Sequence, residues 1–204
     1  MTDVIYDFET FSLNLGFNNL PWQFAAVFAE NGKITKKVNV FIDVGDPNQI
    51  SADARRITRF NDAEYHANKK DPASVWKSIK RVFLDENNTL IGHNVLGFDI
   101  YILRNLARYV GDDINFDDFI YRTRDTISMG RADYFKSPMP KDPLDILAWQ
   151  YKYLHKPVKT FKSSLGAMAA GMNISYDKDK AHDALYDVEV GYEIYKNLVY
   201  RNND

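Results

Sequence analysis

Cysteine is absent from the 204 residues, which removes Cys-ligated zinc, iron–sulfur clusters, thiol nucleophiles and disulfides together. What is left for holding a metal is hard oxygen and four histidines. No apolar run approaches the roughly 18 residues needed to cross a bilayer, and the opening MTDVIYDFE has no basic stretch leading into an apolar one. The expectation is a soluble, cytoplasmic protein with no membrane partner. Strong charge of one sign is missing too: 26 basic residues stand against 28 acidic, a net of −2, unlike the basic balance of a non-specific nucleic-acid binder. Nor is there an internal repeat, a low-complexity tract or a Gly/Ser linker, so one domain is expected over residues 1–204.

The residues present are those of an ordinary globular protein, 45% hydrophobic and 26% charged, which excludes disorder as the main description. Large rings dominate the apolar set, with 13 Phe, 13 Tyr and 3 Trp. A chain of this size buries roughly 70% of its unfolded surface without metals or disulfides. Any metal is therefore expected to be catalytic rather than structural.

Residues 3–8 (DVIYDF) and 22–29 (WQFAAVFA) are short apolar runs rich in β-branched and aromatic side chains and predict buried strands. Asn31-Gly32 supplies a tight turn, and the alternation of Val38, Val40 and Ile42 in residues 33–43 completes a hairpin. Helical spacing covers 51–60 and 71–84, the latter with Asp71 as N-cap and Pro72 in the first turn. A fourth strand is expected at 89–92, a helix at 98–110 and a fifth strand at 119–122. Residues 136–143 (KSPMPKDP) predict a loop or lid, 144–154 and 163–170 short helices, and 181–200 an amphipathic helix. Strands first and helices interspersed later point to an α/β fold with a mixed sheet flanked by helices.

Three acidic clusters stand out. Asp7 and Glu9 end the first strand, and its period of two puts both on one face. Two such carboxylates repel unless a cation lies between them, although acidic residues also gather at strand ends merely because strands end at the surface. The second cluster, IGHNVLGFD, runs a strand into a helix with His93 and Asn94 at the junction, Phe98 beside the acid and Asp99 in the first turn. An Asp there is commonplace as a helix-dipole partner, but strand C-termini are also where α/β sheets bind ligands. The third, AHDALYD, is expected to put Asp183 and Asp187 on one helix face with His182 near the helix start, and Gly191 continues that face. A glycine within a helix costs about 1 kcal/mol relative to Ala, which is tolerable where a backbone must approach closely.

If these segments converge, Asp7, Glu9, Asp99 and Asp187 form an oxygen-only cage suited to two Mg²⁺ or Mn²⁺ ions, which would clamp the oxygens of an in-line phosphoryl displacement. His182, with an unperturbed pKa of about 6.5, suits a general base near neutral pH.

The motifs D-x-E-T, H-N-x-x-x-F-D and A-H-D-A-x-x-D, in that order along the chain, resemble those of the DEDDh (DnaQ-like) 3′–5′ exonuclease family. DFETFS, WQFAAVFAENG, IGHNVLGFDIYILRN and AHDALYDVEVGYEI are most similar to its exonuclease I branch. The resemblance implies a ribonuclease H-like fold, metal ligands at Asp7, Glu9, Asp99 and Asp187, and a base at His182. It implies that Thr10 and Leu13 hold the terminal nucleotide, supported by Asn94 and Phe98. The implied substrate is a nucleic-acid 3′ end, single-stranded DNA foremost, released as nucleoside 5′-monophosphates, with a polymerase or other replication or repair protein as partner. Two departures stand out: Ser12 replaces a common glycine, and residues 54–60 (ARRITRF) replace the usual H/T-G-I-T. Competing readings are an exoribonuclease on the same fold, an HD-type phosphohydrolase built on His182-Asp183, and a non-catalytic nucleic-acid-binding module. The HD reading requires a mostly helical fold and leaves Asp7 and Glu9 without purpose on a strand.

Setting aside the four acidic candidates of 28 leaves 24 against 26 basic residues. Arg122, Arg124, Arg131, Lys136, Lys141, Lys156, Lys159 and Lys162, interleaved with Tyr134, Phe135 and Phe161, form a possible substrate track. Taken singly, each is more simply a solvated or core residue. His93 is a further candidate to line the cleft.

Overall fold

The computed structural model describes residues 1–58 and 60–200, with the side chains of Asn48 and Tyr200 left out. The chain opens with three strands, β1 (Thr2–Thr10), β2 (Pro21–Glu30) and β3 (Lys33–Phe41). Asn31 and Gly32 take φ of 51° and 77°, the paired left-handed conformations that let a two-residue turn match strand twist. Helices α1 (Ala52–Thr58), α2 (Asp62–Asn68) and α3 (Pro72–Leu84) follow. Asp71 caps α3 by accepting from the Ser74 N–H at 2.8 Å, as its position before Pro72 predicts. Next come β4 (Asn88–Gly92), α4 (Asp99–Tyr109), β5 (Thr123–Asp125), α5 (Thr126–Tyr134), α6 (Pro143–Leu154), α7 (Leu165–Gly171) and α8 (Ala184–Tyr200).

The five strands form one mixed sheet in the order β3-β2-β1-β4-β5. β1, β2 and β3 pair antiparallel, whereas β4 and β5 run parallel to β1. Alternation along β1 divides the interior. Val4, Tyr6 and Phe8 join the core built with α3 and α4, while Ile5 joins Ala25, Val27, Ala29 and Ile91 beneath α8. The small side chains on that second face let α8 lie close to the sheet. An added Cβ at Gly191 would meet Ile5 Cγ2 at 3.6 Å, ordinary contact, so the close approach expected there does not itself require glycine.

Several expected boundaries move. The helix expected at 51–60 ends at Thr58, and a second begins after Asn61, whose side chain accepts from the Glu64 N–H at 3.1 Å. Residues 120–122 form a 3₁₀ turn, and the fifth strand is 123–125. The cause is Arg122: its guanidinium donates to the carbonyls of Phe83, Asp85, Asn88 and Asp118 and closes the turn before pairing begins. Helix α5 has no counterpart in the sequence reading. Residues 136–142 are a loop as expected, and Pro143 already belongs to α6. The last helix starts at Ala184 rather than 181 because His182 takes φ 67°. Among the described residues no helix is long and apolar enough to cross a membrane.

Candidate active site

β4 pairs with β1 only as far as Ile5↔Ile91 and ends at Gly92, whereas β1 runs on to Thr10 with β2 alone beside it. The far half of β1 therefore has an open edge, and the crevice so formed lies at the C-terminal end of both strands. Glycine is required at 92: an added Cβ would fall 2.1 Å from Val95 Cγ1 and 2.8 Å from the Tyr6 carbonyl. The chain then reverses through Asn94, at φ 66°, whose carbonyl accepts from the Gly97 N–H at 2.9 Å. Asn tolerates the left-handed region better than most residues. The turn is pinned from β5, where the buried Asp125 accepts from the Leu96 N–H at 3.1 Å and the Ser128 N–H at 3.0 Å.

This turn delivers Asp99 into the open edge. Its Oδ1 accepts from the Phe8 N–H at 3.1 Å, and the residue is 3% exposed. Asp7 and Glu9 flank Phe8 on the face that carries α8. Asp187 comes from the first turn of α8; its Oδ2 accepts from the His182 N–H at 3.1 Å, and its buried Oδ1 has no hydrogen-bond partner among the described residues. Asp183 does not share its helix face as expected. It precedes the helix and caps it, accepting from the N–H groups of Leu185 at 3.0 Å and Tyr186 at 3.1 Å.

The four carboxyls sense one another. Burial pushes Asp7 up to about 6. Burial and then the charge of Asp7 raise Asp187 to about 7. Glu9 and Asp99 rise well above the usual carboxylate range for the same two reasons, and Glu9 also feels Asp187 and Asp99. Withdrawn, mutually repelling carboxyls of this kind hold protons until a cation replaces them. Among the described residues no group of three or more acidic or histidine side chains is arranged so that it could hold a metal ion. By the chemistry of its four carboxyl donors and by the unpartnered Asp187 Oδ1 the site fits a divalent cation.

The remaining candidates divide. The exposed His182 side chain stands at the rim of a cavity of about 240 Å³ that also involves Gln23, Asn39, Phe41 and Glu64. Leu13 is 64% exposed on the loop after β1. Thr10 is buried, and its hydroxyl donates to the Ser12 carbonyl at 2.6 Å. Asn94 serves the turn, and Phe98 is half-buried against the α3–α4 core at the start of α4. His93 does not line the cleft as expected. Its Nδ1 lies 2.9 Å from Thr126 Oγ1, and burial first of all depresses its pKa to about 4, with the Ser163 backbone and Arg131 nearby.

Both departures from the motif pattern have local explanations. Ser12 is not among the left-handed residues, and Asn19 organises its loop by accepting from the Ser12 N–H and donating to the carbonyls of Ser12 and Asn14. Arg55 lies over the Phe60 ring and pairs with Asp62 at 2.6 Å, tying α1 to α2. Two residues near the site escaped the sequence reading. Asp125 was announced by a capping pattern, Asp followed three residues later by Ser128. Tyr176, whose pKa burial and then Asp187 raise, carried no signal.

With 20% identity the E. coli exonuclease I complex with a dT13 oligonucleotide superposes at a TM-score of 0.76, covering 99% of this chain and 42% of that one. The zinc-bound form of the E. coli exonuclease I–ssDNA complex gives 0.78, with 20% identity, 99% of this chain and 41% of the other. The mixed sheet and its flanking helices thus have the ribonuclease H-like fold of exonuclease I. A DNA polymerase III of PolC type from Ureaplasma parvum is 27% identical over 204 residues, 99% of this chain and 12% of that protein. The chain therefore spans less than half the length of each relative. The RNase_T profile, described as exonuclease, matches residues 4–195, and the chain belongs to that exonuclease family.

Proposed function

We propose that the chain is a metal-dependent 3′–5′ exonuclease of the DEDDh type, formed by residues 1–204 and acting on single-stranded DNA to release nucleoside 5′-monophosphates. What carries this reading is the placing of Asp7, Glu9, Asp99 and Asp187 about the open end of β1, all withdrawn from water, with the charge of Asp7 felt by the other three. These four residues would hold two Mg²⁺ or Mn²⁺ ions, which supply positive charge to a phosphoryl displacement.

The chain's own residues do the rest. The His182 imidazole takes a proton from the attacking water, and the hydrogen bond from its backbone N–H to Asp187 fixes where it stands. Leu13 presents an apolar surface to the terminal base. Thr10, with its hydroxyl committed to the Ser12 carbonyl, positions the loop beneath the terminal nucleotide, and Asn94 and Phe98 hold Asp99 from the other side. The likeness to a PolC-type polymerase supports work beside a polymerase in replication or repair, where a cytoplasmic setting is expected.

The test is digestion of matched single-stranded DNA, duplex DNA and RNA, each labelled at both termini, with Mg²⁺ and with EDTA. Mononucleotides leaving the 3′ end of single-stranded DNA, only with metal, are expected. Preferred release from RNA would replace the polymer with RNA, and tight binding without release in Mg²⁺ or Mn²⁺ would leave a binding module.

A further inference from the structure

Between Asp145 and Asp177 the chain carries four lysines and no acidic residue, although it has 28 acidic residues in all. The lysines fall at the end of α6 and in the connection to α7. Among the described residues none of them has a carboxylate within ion-pair distance. Lysines on a surface are ordinary; four without a compensating acid repel one another, and that repulsion is relieved by a polyanion.

Rings lie beside them. Lys156 Nζ sits 3.6 Å from the centroid of the Phe135 ring. Phe135 meets Tyr134 edge-on at 5.3 Å, and Tyr134 in turn packs against Phe161 at 5.8 Å. The Tyr134 hydroxyl is 2.7 Å from Thr160 Oγ1. Tyr134 and Phe135 are 48% and 39% exposed, so ring surface and ammonium groups face solvent together.

The connection is held in place. Arg131 donates to the carbonyls of Tyr153 and Leu154 and to Ser163 Oγ, which fixes both ends of the segment between them. Its far end abuts His93, directly after β4, at the same end of the sheet as Asp7 and Asp99. The surface therefore lies at the same end of the sheet as the crevice. The arginines of the suspected track do not belong to it: Arg122 and Arg124 donate to main-chain carbonyls.

We propose that Lys156, Lys159 and Lys162, with the rings of Tyr134 and Phe135, form a platform for the body of a single-stranded nucleic acid on the 5′ side of the bond being cut. The lysines meet phosphates and the rings stack bases. The proposal rests on the exonuclease reading, because a strand cut at its 3′ end must run away from the crevice along some surface.

The experiment compares the full chain with its Lys159→Glu/Lys162→Glu variant and, separately, its Tyr134→Ala variant. Circular dichroism melts check that each folds. Binding of a 15-nucleotide thymidine strand is measured in EDTA across a salt series, and hydrolysis of a trinucleotide is measured in Mg²⁺. The double lysine variant is expected to weaken 15-mer binding about tenfold or more and to flatten the log–log salt slope by about 1.4, at roughly 0.7 for each phosphate no longer neutralised. Its trinucleotide kcat/KM should be unchanged. Tyr134→Ala should weaken the thymidine strand about fivefold or more while leaving an abasic strand of equal length unaffected. An unchanged Kd and slope in the lysine variant overturn the platform. So does a Tyr134→Ala loss of equal size on the abasic strand, which would mean adsorption of any polyanion. A trinucleotide that is never hydrolysed, in Mg²⁺ or Mn²⁺, counts against the exonuclease reading alone, since the binding arm does not depend on turnover.

Discussion

Asp125 and Asp187 stand at the start of α5 and α8, both largely withdrawn from water and both with carboxyl pKa values pushed up by that burial. Their surroundings differ in what is offered to the oxygens. Asp125 accepts from the Leu96 N–H, the Ser128 N–H and the Ser128 hydroxyl, so each oxygen has a donor. Asp187 accepts one backbone N–H at Oδ2, and its buried Oδ1 has no donor among the described residues. Burial alone therefore does not mark a site. What Asp187 adds is an acceptor oxygen in a cluster of carboxyls with no donor among the described residues, which costs about 1–3 kcal/mol unless something binds there.

The sharpest way to break this comparison is to exchange each acid for its amide or for alanine. Asp187→Asn should lower turnover by about 10³-fold or more, the several kcal/mol that a bound metal contributes, with the melting temperature held or raised. Steady-state rates and a melt on one preparation check it, and an active Asp187→Asn enzyme removes the residue from the chemistry. His182→Ala should follow with a loss of about 10²–10⁴-fold in kcat and little change in Kd for an oligonucleotide; equal loss of binding contradicts a base.

Asp125→Ala should act on the opposite quantity. Losing a cap and leaving the Leu96 N–H bare costs about 2–4 kcal/mol, or a fall of about 5–10 °C in Tm for a domain of this length. If Asp125→Ala melts like the parent, the anchoring role fails.

A pH series sharpens the contrast further. Asp7 and Asp187 have folded-state pKa values of about 6 and 7, above those of the unfolded chain, so the folded protein holds their protons more tightly. Their contribution to stability is complete near pH 4 and is lost as pH rises through 6 and 7. Metal-free protein should therefore lose stability from these two groups between about pH 4 and 7, and Mg²⁺ should restore it. The loss should shrink in Asp7→Asn/Asp187→Asn, with Glu9 and Asp99 still contributing, as differential scanning calorimetry would register; an identical slope in the double variant refutes the cluster. The smallest effect concerns Gly191, where Ala fits at 3.6 Å from Ile5. Gly191→Ala should stabilise by about 0.5–1 kcal/mol, and a destabilised variant would show that α8 sits closer than that distance suggests.

Much of this was legible in advance, for physical reasons. β1 and β2 announce themselves as apolar β-branched runs, and α3 by its cap, its proline and one apolar face. Asp7, Glu9, Asp99 and Asp187 were legible as carboxylates at element junctions. α5 was not, because Thr126, Ile127, Ser128, Met129, Gly130 and Ala132 are all buried; a helix covered on most sides shows no amphipathic period. The fifth strand, expected at 119–122, lies at 123–125, because nothing in the apolar pattern reveals that Arg122 ties the preceding turn to four carbonyls. Asp183 was misassigned for a related reason: periodicity extends a helix backward through any compatible sequence, and the left-handed backbone of His182 leaves no trace in it.

Because β1 outruns β4, the amide of Phe8 would be left bare on its outer side were it not for the Asp99 carboxylate. One side chain thus closes a gap in the architecture and, in the proposed function, faces the reaction. On the proposed function, loss of Asp7 or Asp187 should silence the chemistry and leave the scaffold standing, whereas loss of Asp99 to an apolar residue should damage both. A descendant drifting toward a purely structural life should therefore shed Asp7 or Asp187 first and keep position 99 acidic, or its amide, longest.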